Sequence, residues 1–348
     1  MPVSFLTPEQ ERRYGRFPDE VSAEQLARYF HLDDTDRAFV LSRRGVHMRL
    51  GFAIQLGTAR FLGTFLEDPC DVPASVVGFI GSQLGTPIDG ALDAYRKSQW
   101  RWRHPPEIRE RYGYRDFSDQ FAQWRLLRWL YALCWTGTDR PSALFDQATA
   151  WLVTHKVLLP GATVLERAIA RVRGHANSRL WRLLAARITV DHKERLDALV
   201  VVPGNARQSP MDRLRSGPVL QSVPELARAI KRLDEVRELA KGLPHTDKLP
   251  KTRILALARF ANAAKAQAIS RMPDERRAAT LLALIRALEA SDQDDVLDLL
   301  DVIVTKIWTD AVSKGSGRAV AGVGRSRCRR SDLEGSLRCD FRQENQQY

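Results

Sequence analysis

Val46-His47-Met48-Arg49-Leu50-Gly51-Phe52-Ala53-Ile54-Gln55-Leu56-Gly57-Thr58-Ala59-Arg60-Phe61-Leu62 reads as one helix, with Leu50, Ile54, Leu56 and Phe61 as its packing set. Upstream, Asp33 and Asp36 can start a helix carrying Phe39, Val40 and Leu41. Ser22-Ala23-Glu24-Gln25 is a capping box that opens another, with Leu26, Tyr29 and Phe30 on one face. Thr7-Pro8-Glu9-Gln10 puts an N-cap before a proline at the first helical position. Short helices with tight turns form a helix-turn-helix-type unit over residues 1–70. Its third helix is expected to carry arginines toward a partner.

Helical periodicity continues downstream. Residues 71–136 hold helices over Ala74 to Leu84 and Asp89 to Lys97, and one that Pro105-Pro106-Glu107 starts. A long helix follows from Asp119, with Phe121, Trp124, Leu127, Leu130, Tyr131 and Cys134 at core spacing. Trp129, Trp135 and Trp151 also read as core. Residues 137–202 form a basic helical module, in which Gly174 ends one helix and Ser178 caps the next. Leu199-Val200-Val201-Val202 is the only β-like run, at most one strand or an extended linker. Residues 203–224, with four prolines, read as a linker. Residues 225–312 read as an antiparallel helical scaffold, with prolines heading successive helices: Glu225 to Lys241, Thr252 to Arg271, Asp274 to Ala290 and Asp292 to Asp310. Residues 313–348 lose periodicity, gain Gly and Arg, and are expected to be disordered. The fold class is all-α.

The composition narrows the chemistry. The 348 residues carry 54 Lys+Arg against 42 Asp+Glu, a net charge of +12, which makes nucleic acid the first partner to consider. Ten of those twelve charges fall in residues 137–220 and 313–348. Four Cys, at 70, 134, 328 and 339, exclude a disulfide scaffold and show no zinc-ligand spacing, which fits a reducing cytoplasm. The longest uncharged run, Val72 to Ile88, is broken by prolines and glycines and is no membrane span. The seven His are scattered, and no Gly-rich loop is followed by Lys-Ser or Lys-Thr. The acids Asp292, Asp294, Asp295, Asp298 and Asp301 read as first-turn residues serving a helix dipole, not as metal ligands. No catalytic residue, metal ligand or cofactor site emerges.

DNA contact has better candidates. Arg37 to Leu66 contains five Arg and no acid, offering Arg43, Arg44, Arg49 and Arg60, with His47 among them. Tyr95 to Arg115 interleaves charge with rings: Trp100, Arg101 and Arg103, then Arg109, Arg111, Tyr114 and Arg115. Of Trp100 and Trp102, one is expected in the core. Leu165 to Arg187 sets six Arg against Glu166, with Arg167 and Arg171 four apart and Arg179 and Arg182 three apart, so that each pair lines one helix face. For each patch, a merely solvated helix face is the alternative.

Several strings are literal matches to a known family. Leu6-Thr7-Pro8-Glu9-Gln10, Arg13-Tyr14-Gly15-Arg16-Phe17 and Glu24-Gln25-Leu26-Ala27-Arg28-Tyr29-Phe30 resemble the N-terminus of Tn-three-family transposases, the enzymes of class II replicative transposons. The likeness continues through Arg49 to Thr58, Arg60 to Phe65, Tyr112 to Phe117, Leu159 to Arg167 and Leu255 to Arg259, covering about residues 5–312. The resemblance implies centromere-protein-B-like helix-turn-helix modules that grip double-stranded terminal inverted repeats. It also implies a helical region that scaffolds a dimer, either a homodimer or a mixed dimer with intact transposase. The family's catalysis, by three carboxylates and two divalent metal ions, belongs to a downstream domain that this sequence is expected to lack. The tail after position 312 departs from the family and is expected to be read out of frame. Two readings follow: a DNA-binding transposase fragment in the bacterial cytosol, or a non-binding helical relic or protein-interaction module of a degraded transposon.

Overall fold

The computed structural model describes residues 4–85, 88–204 and 206–315. Among them are sixteen helices and no strand; the one bridge pairs Arg115 with Val157. The chain is all-α, as its periodicity requires. The tail expected to be disordered lies, from residue 316 on, outside the described residues. Two compact units are present, one of Met1–Gly217 with Arg232–Asp292, the other of Pro218–Lys231 with the chain from Gln293.

In the first unit, α1 (Pro8–Arg13) and α2 (Ala23–Tyr29) open with full capping boxes, Thr7 with Gln10 and Ser22 with Gln25. Asp33 caps α3 (Asp34–Leu41) through the Asp36 N–H. The helix α4 (Val46–Leu62) runs between Gly45 and Gly63, both at positive φ, which marks both of its ends. Around it pack α2, α3, α5 (Ala74–Leu84), α6 (Ala91–Lys97) and α7 (Trp100–Tyr112). Every residue from Gly51 to Ala59 is buried, so α4 is the hub of this core and not a surface helix. The two glycines make that possible: a Cβ on Gly51 would lie 2.4 Å from the Tyr95 ring, and one on Gly57 2.2 Å from the Phe30 ring.

The helix α7 begins five residues before the prolines expected to start it. Pro105 has no N–H to give the carbonyl of Arg101, one turn back. Gln55, buried on α4, supplies the missing donor: its Nε2 donates to Arg101 O at 2.9 Å and to the Tyr95 hydroxyl at 2.8 Å. The hydroxyl in turn meets His104 Nδ1 at 2.7 Å. His104 is fully buried, and desolvation, aided by the nearby Arg43 charge, holds its pKa down at about 4. The imidazole is therefore neutral, and its Nδ1 shares a hydrogen bond with the Tyr95 hydroxyl.

A second core joins α8 (Gln120–Thr136), α9 (Pro141–Thr154) and α10 (Ala162–Ala185). The buried side of α8 is Ala122, Leu126, Leu130 and Cys134. Phe121 and Trp124, expected in the core, are instead 57% and 54% exposed. The helix is apolar on two faces, and the face bearing the small Ala122 and Cys134 is the one that packs. The helix α10 passes straight through Gly174, where a break was expected, because Val172, Ala176 and Leu180 continue one buried stripe across it.

A third core takes the end of α10 with α11 (Val190–Ala198), α12 (Pro210–Leu214), part of α13 (Val223–Ala240), α14 (Lys251–Ala263), α15 (Ala266–Ser270) and the first half of α16 (Asp274–Gly315). Leu199 and Val200 are buried in the turn that ends α11 and form no strand. Arg215 stops α14, its Nη1 donating to the carbonyls of Ala261, Asn262 and Ala264 at 2.7–2.8 Å. That interrupts the single helix expected from Thr252 to Arg271. Conversely, α16 does not restart at Asp292: the helix is continuous, and Asp292 is buried mid-helix against Arg232 at 2.9 Å. The dipole account of that acid therefore fails. In the second unit, Ala229, Leu299 and Ile303 are buried and Glu225 pairs with Arg228 at 3.0 Å.

Candidate nucleic-acid interface

The arginines around α4 separate into enclosed and free groups. Arg43, its side chain 12% exposed, pairs with Glu107 and lies over the rings of Phe39 at 4.8 Å and Phe52 at 4.2 Å. Arg49 donates from Nε to the Arg43 carbonyl at 2.9 Å. Arg60 pairs with the buried Asp36 at 2.8 Å and lies over the Tyr112 ring. The Tyr112 hydroxyl donates to the same Asp36 at 2.8 Å, and its pKa is pushed up to about 12 by burial and that carboxylate. These groups hold α3, α4 and α7 together. His47 is half-buried and Arg44 is exposed.

The α7 set divides in the same way. Trp100 is half-buried, its ring tilted against that of His104 at 6.0 Å, whereas Trp102 is 57% exposed. Arg101 lies over the Trp102 ring at 4.7 Å and Arg103 over Trp100 at 5.3 Å. Arg111 lies 3.7 Å from the centre of the Phe39 ring, joining the α7 set to that of Arg43. Arg109 pairs with Asp116 at 2.5 Å. Tyr114 is half-buried, and burial raises its pKa. Arg115 is exposed, and its backbone exchanges hydrogen bonds with Lys156 and Leu158.

The helix α10 is different in kind. Its 24 residues contain one acid, Glu166, which is buried and accepts from the N–H groups of Phe5 and Leu6 at 3.0 and 3.2 Å. The exposed side is left with positive charge alone. Arg167, Arg171 and Arg182, with His175 and Ser178, fall on one stripe at helical spacing and are all exposed. From Arg167 to Arg182 that stripe runs about 22 Å. These three arginines form no ion pair among the described residues. Arg167 and Arg171 also line a 210 Å³ groove against Phe117, Gln123 and Leu127. Arg179 is exposed beside the stripe, over Trp135 at 5.2 Å and bonded to the Tyr131 hydroxyl at 3.1 Å.

Sequence reasoning did not single out the exposed α8 face of Phe121, Trp124, Arg125 and Arg128. The signal was present: between Gln120 and Thr136 there are two Arg and no acid. Among the described residues, no group of three or more His, Cys, Asp or Glu could hold a metal ion. No described helix is long and apolar enough to cross a membrane.

Comparison with known proteins agrees with the sequence strings. Residues 5–172 match the family described as a domain of unknown function, DUF4158. The transposase for transposon gamma-delta from Escherichia coli (strain K12) is 42% identical over 90% of this chain and 32% of its own length. The transposase for transposon Tn21 from Escherichia coli is 27% identical over 91% of the chain and 32% of its own length. That for transposon Tn501 from Pseudomonas aeruginosa is 28% identical over 84% and 30%. The chain spans about a third of the length of these relatives. It is a homologue of the N-terminal region of the Tn-three-family transposases.

Proposed function

We propose that the chain is a DNA-recognition segment of the transposition machinery, binding double-stranded terminal inverted repeats without cutting or joining strands itself. The homology makes the chain transposition-related. The observation that carries the finer reading is the one-sided charge of α10, whose only acid is turned into the core while Arg167, Arg171 and Arg182 face outward. An extended cationic stripe matches a phosphate backbone, and such contacts fix register on a duplex. In this reading Arg44, Arg103, Arg111, Arg115 and Arg179 add outer contacts, and His47, Trp100, Arg101, Arg109 and Tyr114 flank them. Arg43, Arg49 and Arg60 act by holding α3, α4 and α7 in place. The protein works in the bacterial cytoplasm, on nucleoid DNA. Gel shift with the cognate inverted repeat against a scrambled duplex at near-physiological salt tests the reading. Tighter binding of the repeat supports it, and equal affinity contradicts it.

A second reading, a protein-interaction module, has its own observation. On α16, Leu297, Leu300, Val304, Ile307 and Trp308 are all exposed at heptad-like spacing. A homodimer, or a mixed dimer with an intact transposase, would bury them. Sedimentation of the chain and of a Leu300→Glu, Val304→Glu variant tests this; a monomeric wild-type chain that also fails to pair with intact transposase contradicts it.

A further inference from the structure

The outward face of α8 is aromatic and cationic at once. Phe121 and Trp124, both more than half exposed, stack with ring planes 22° apart. Arg128 lies over Trp124 at 5.3 Å, and Arg125 lies over Phe121 at 5.9 Å. Arg125 also reaches the ring of Trp151 on α9 at 5.8 Å, and Trp151 stacks on Trp129. Rings and guanidinium planes therefore alternate across the surface of two helices. None of the exposed members is needed by the core, which α8 fills with Ala122, Leu126, Leu130 and Cys134.

Two features select the occupant. The absence of any acid on α8 gives the face charge complementarity to a polyanion. Exposed ring faces call for flat partners whose own faces are free. In a duplex the bases are stacked on one another and offer only edges and backbone, so the ring faces fit unpaired bases. We propose that this face, centred on Phe121 and Trp124, is a stacking platform for unpaired bases of single-stranded DNA, with Arg125 and Arg128 holding the phosphates. It stands on its own residues and does not depend on duplex recognition by α10.

The test is fluorescence anisotropy with the full chain and three probes: an oligothymidylate strand, an abasic strand of equal length, and a duplex. Phe121→Ala with Trp124→Ala is expected to weaken oligothymidylate binding at least about fivefold. Duplex binding should change by less than about twofold, as for an exposed site away from the duplex. Wild-type chain should bind the abasic strand as weakly as the variant binds oligothymidylate, and Trp124→Phe, which keeps a ring, should retain most of the affinity. The proposal is overturned if wild-type chain does not bind oligothymidylate, or if it binds the abasic strand equally well. It is also overturned if the double variant binds oligothymidylate like wild type, or loses as much on duplex as on single strand. Thermal unfolding of the variant checks that the core is intact.

Discussion

The Nε2 of Gln55 donates to the carbonyl oxygen of Arg101, the oxygen that proline at position 105 leaves without its helical donor. One buried amide on α4 therefore replaces the donor that Pro105 removes from α7. Gln55→Leu should strand that carbonyl and leave the Tyr95 hydroxyl with His104 as its one remaining partner, costing about 1–3 kcal/mol for the unsatisfied carbonyl. Urea denaturation measures it, and a loss below about 0.5 kcal/mol would mean the amide is dispensable.

Gly57 and Gly174 predict opposite signs for the same substitution. Gly57→Ala drives a Cβ into the Phe30 ring, and overpacking of this kind costs about 1–3 kcal/mol. At Gly174, inside α10, nothing lies within 4 Å of an added Cβ. Gly174→Ala should stabilise by about 0.5–1 kcal/mol, by removing backbone freedom from the unfolded chain. Paired thermal melts check both signs.

His104 gives a pH dependence. Its folded pKa of about 4 lies below the ordinary 6.5, so between these values the unfolded chain binds more protons than the folded one. The contribution is fully present above pH 6.5 and is lost as pH falls toward 4, by up to about 3 kcal/mol. Equilibrium unfolding across that window should show the decline, and His104→Gln should flatten it. A variant with the wild-type slope would place the titration elsewhere.

Elements fixed by neighbouring residues were legible in the sequence. Thr7, Ser22 and Asp33 mark their helices through local caps, and Gly45 and Gly63 bound α4 to the residue. What was not legible depends on partners far along the chain. Gln55 rescues Pro105, Arg215 ends α14, and Arg232 holds Asp292 inside a helix that local acid content suggested was starting. The candidate site follows the same rule. Arg167 and Arg171 could be placed on one face by spacing alone. The enclosure of Arg43 between Phe39, Phe52 and Glu107 needed the packing of α3, α4 and α7. Phe121 and Trp124 were misplaced because α8 has two apolar faces, and periodicity does not say which one its neighbours cover.

If the outward arginines of α10 hold DNA phosphates, binding must weaken with salt through them. Affinity for a duplex bearing the inverted repeat is measured across a salt series for wild-type chain and for Arg167→Ala, Arg171→Ala, Arg182→Ala. All three side chains are exposed, so the fold should be unaffected. The variant should bind more weakly, with a log–log salt slope shallower by about one for each phosphate that it no longer neutralises. A variant with wild-type affinity and an unchanged slope would contradict phosphate contact by these arginines.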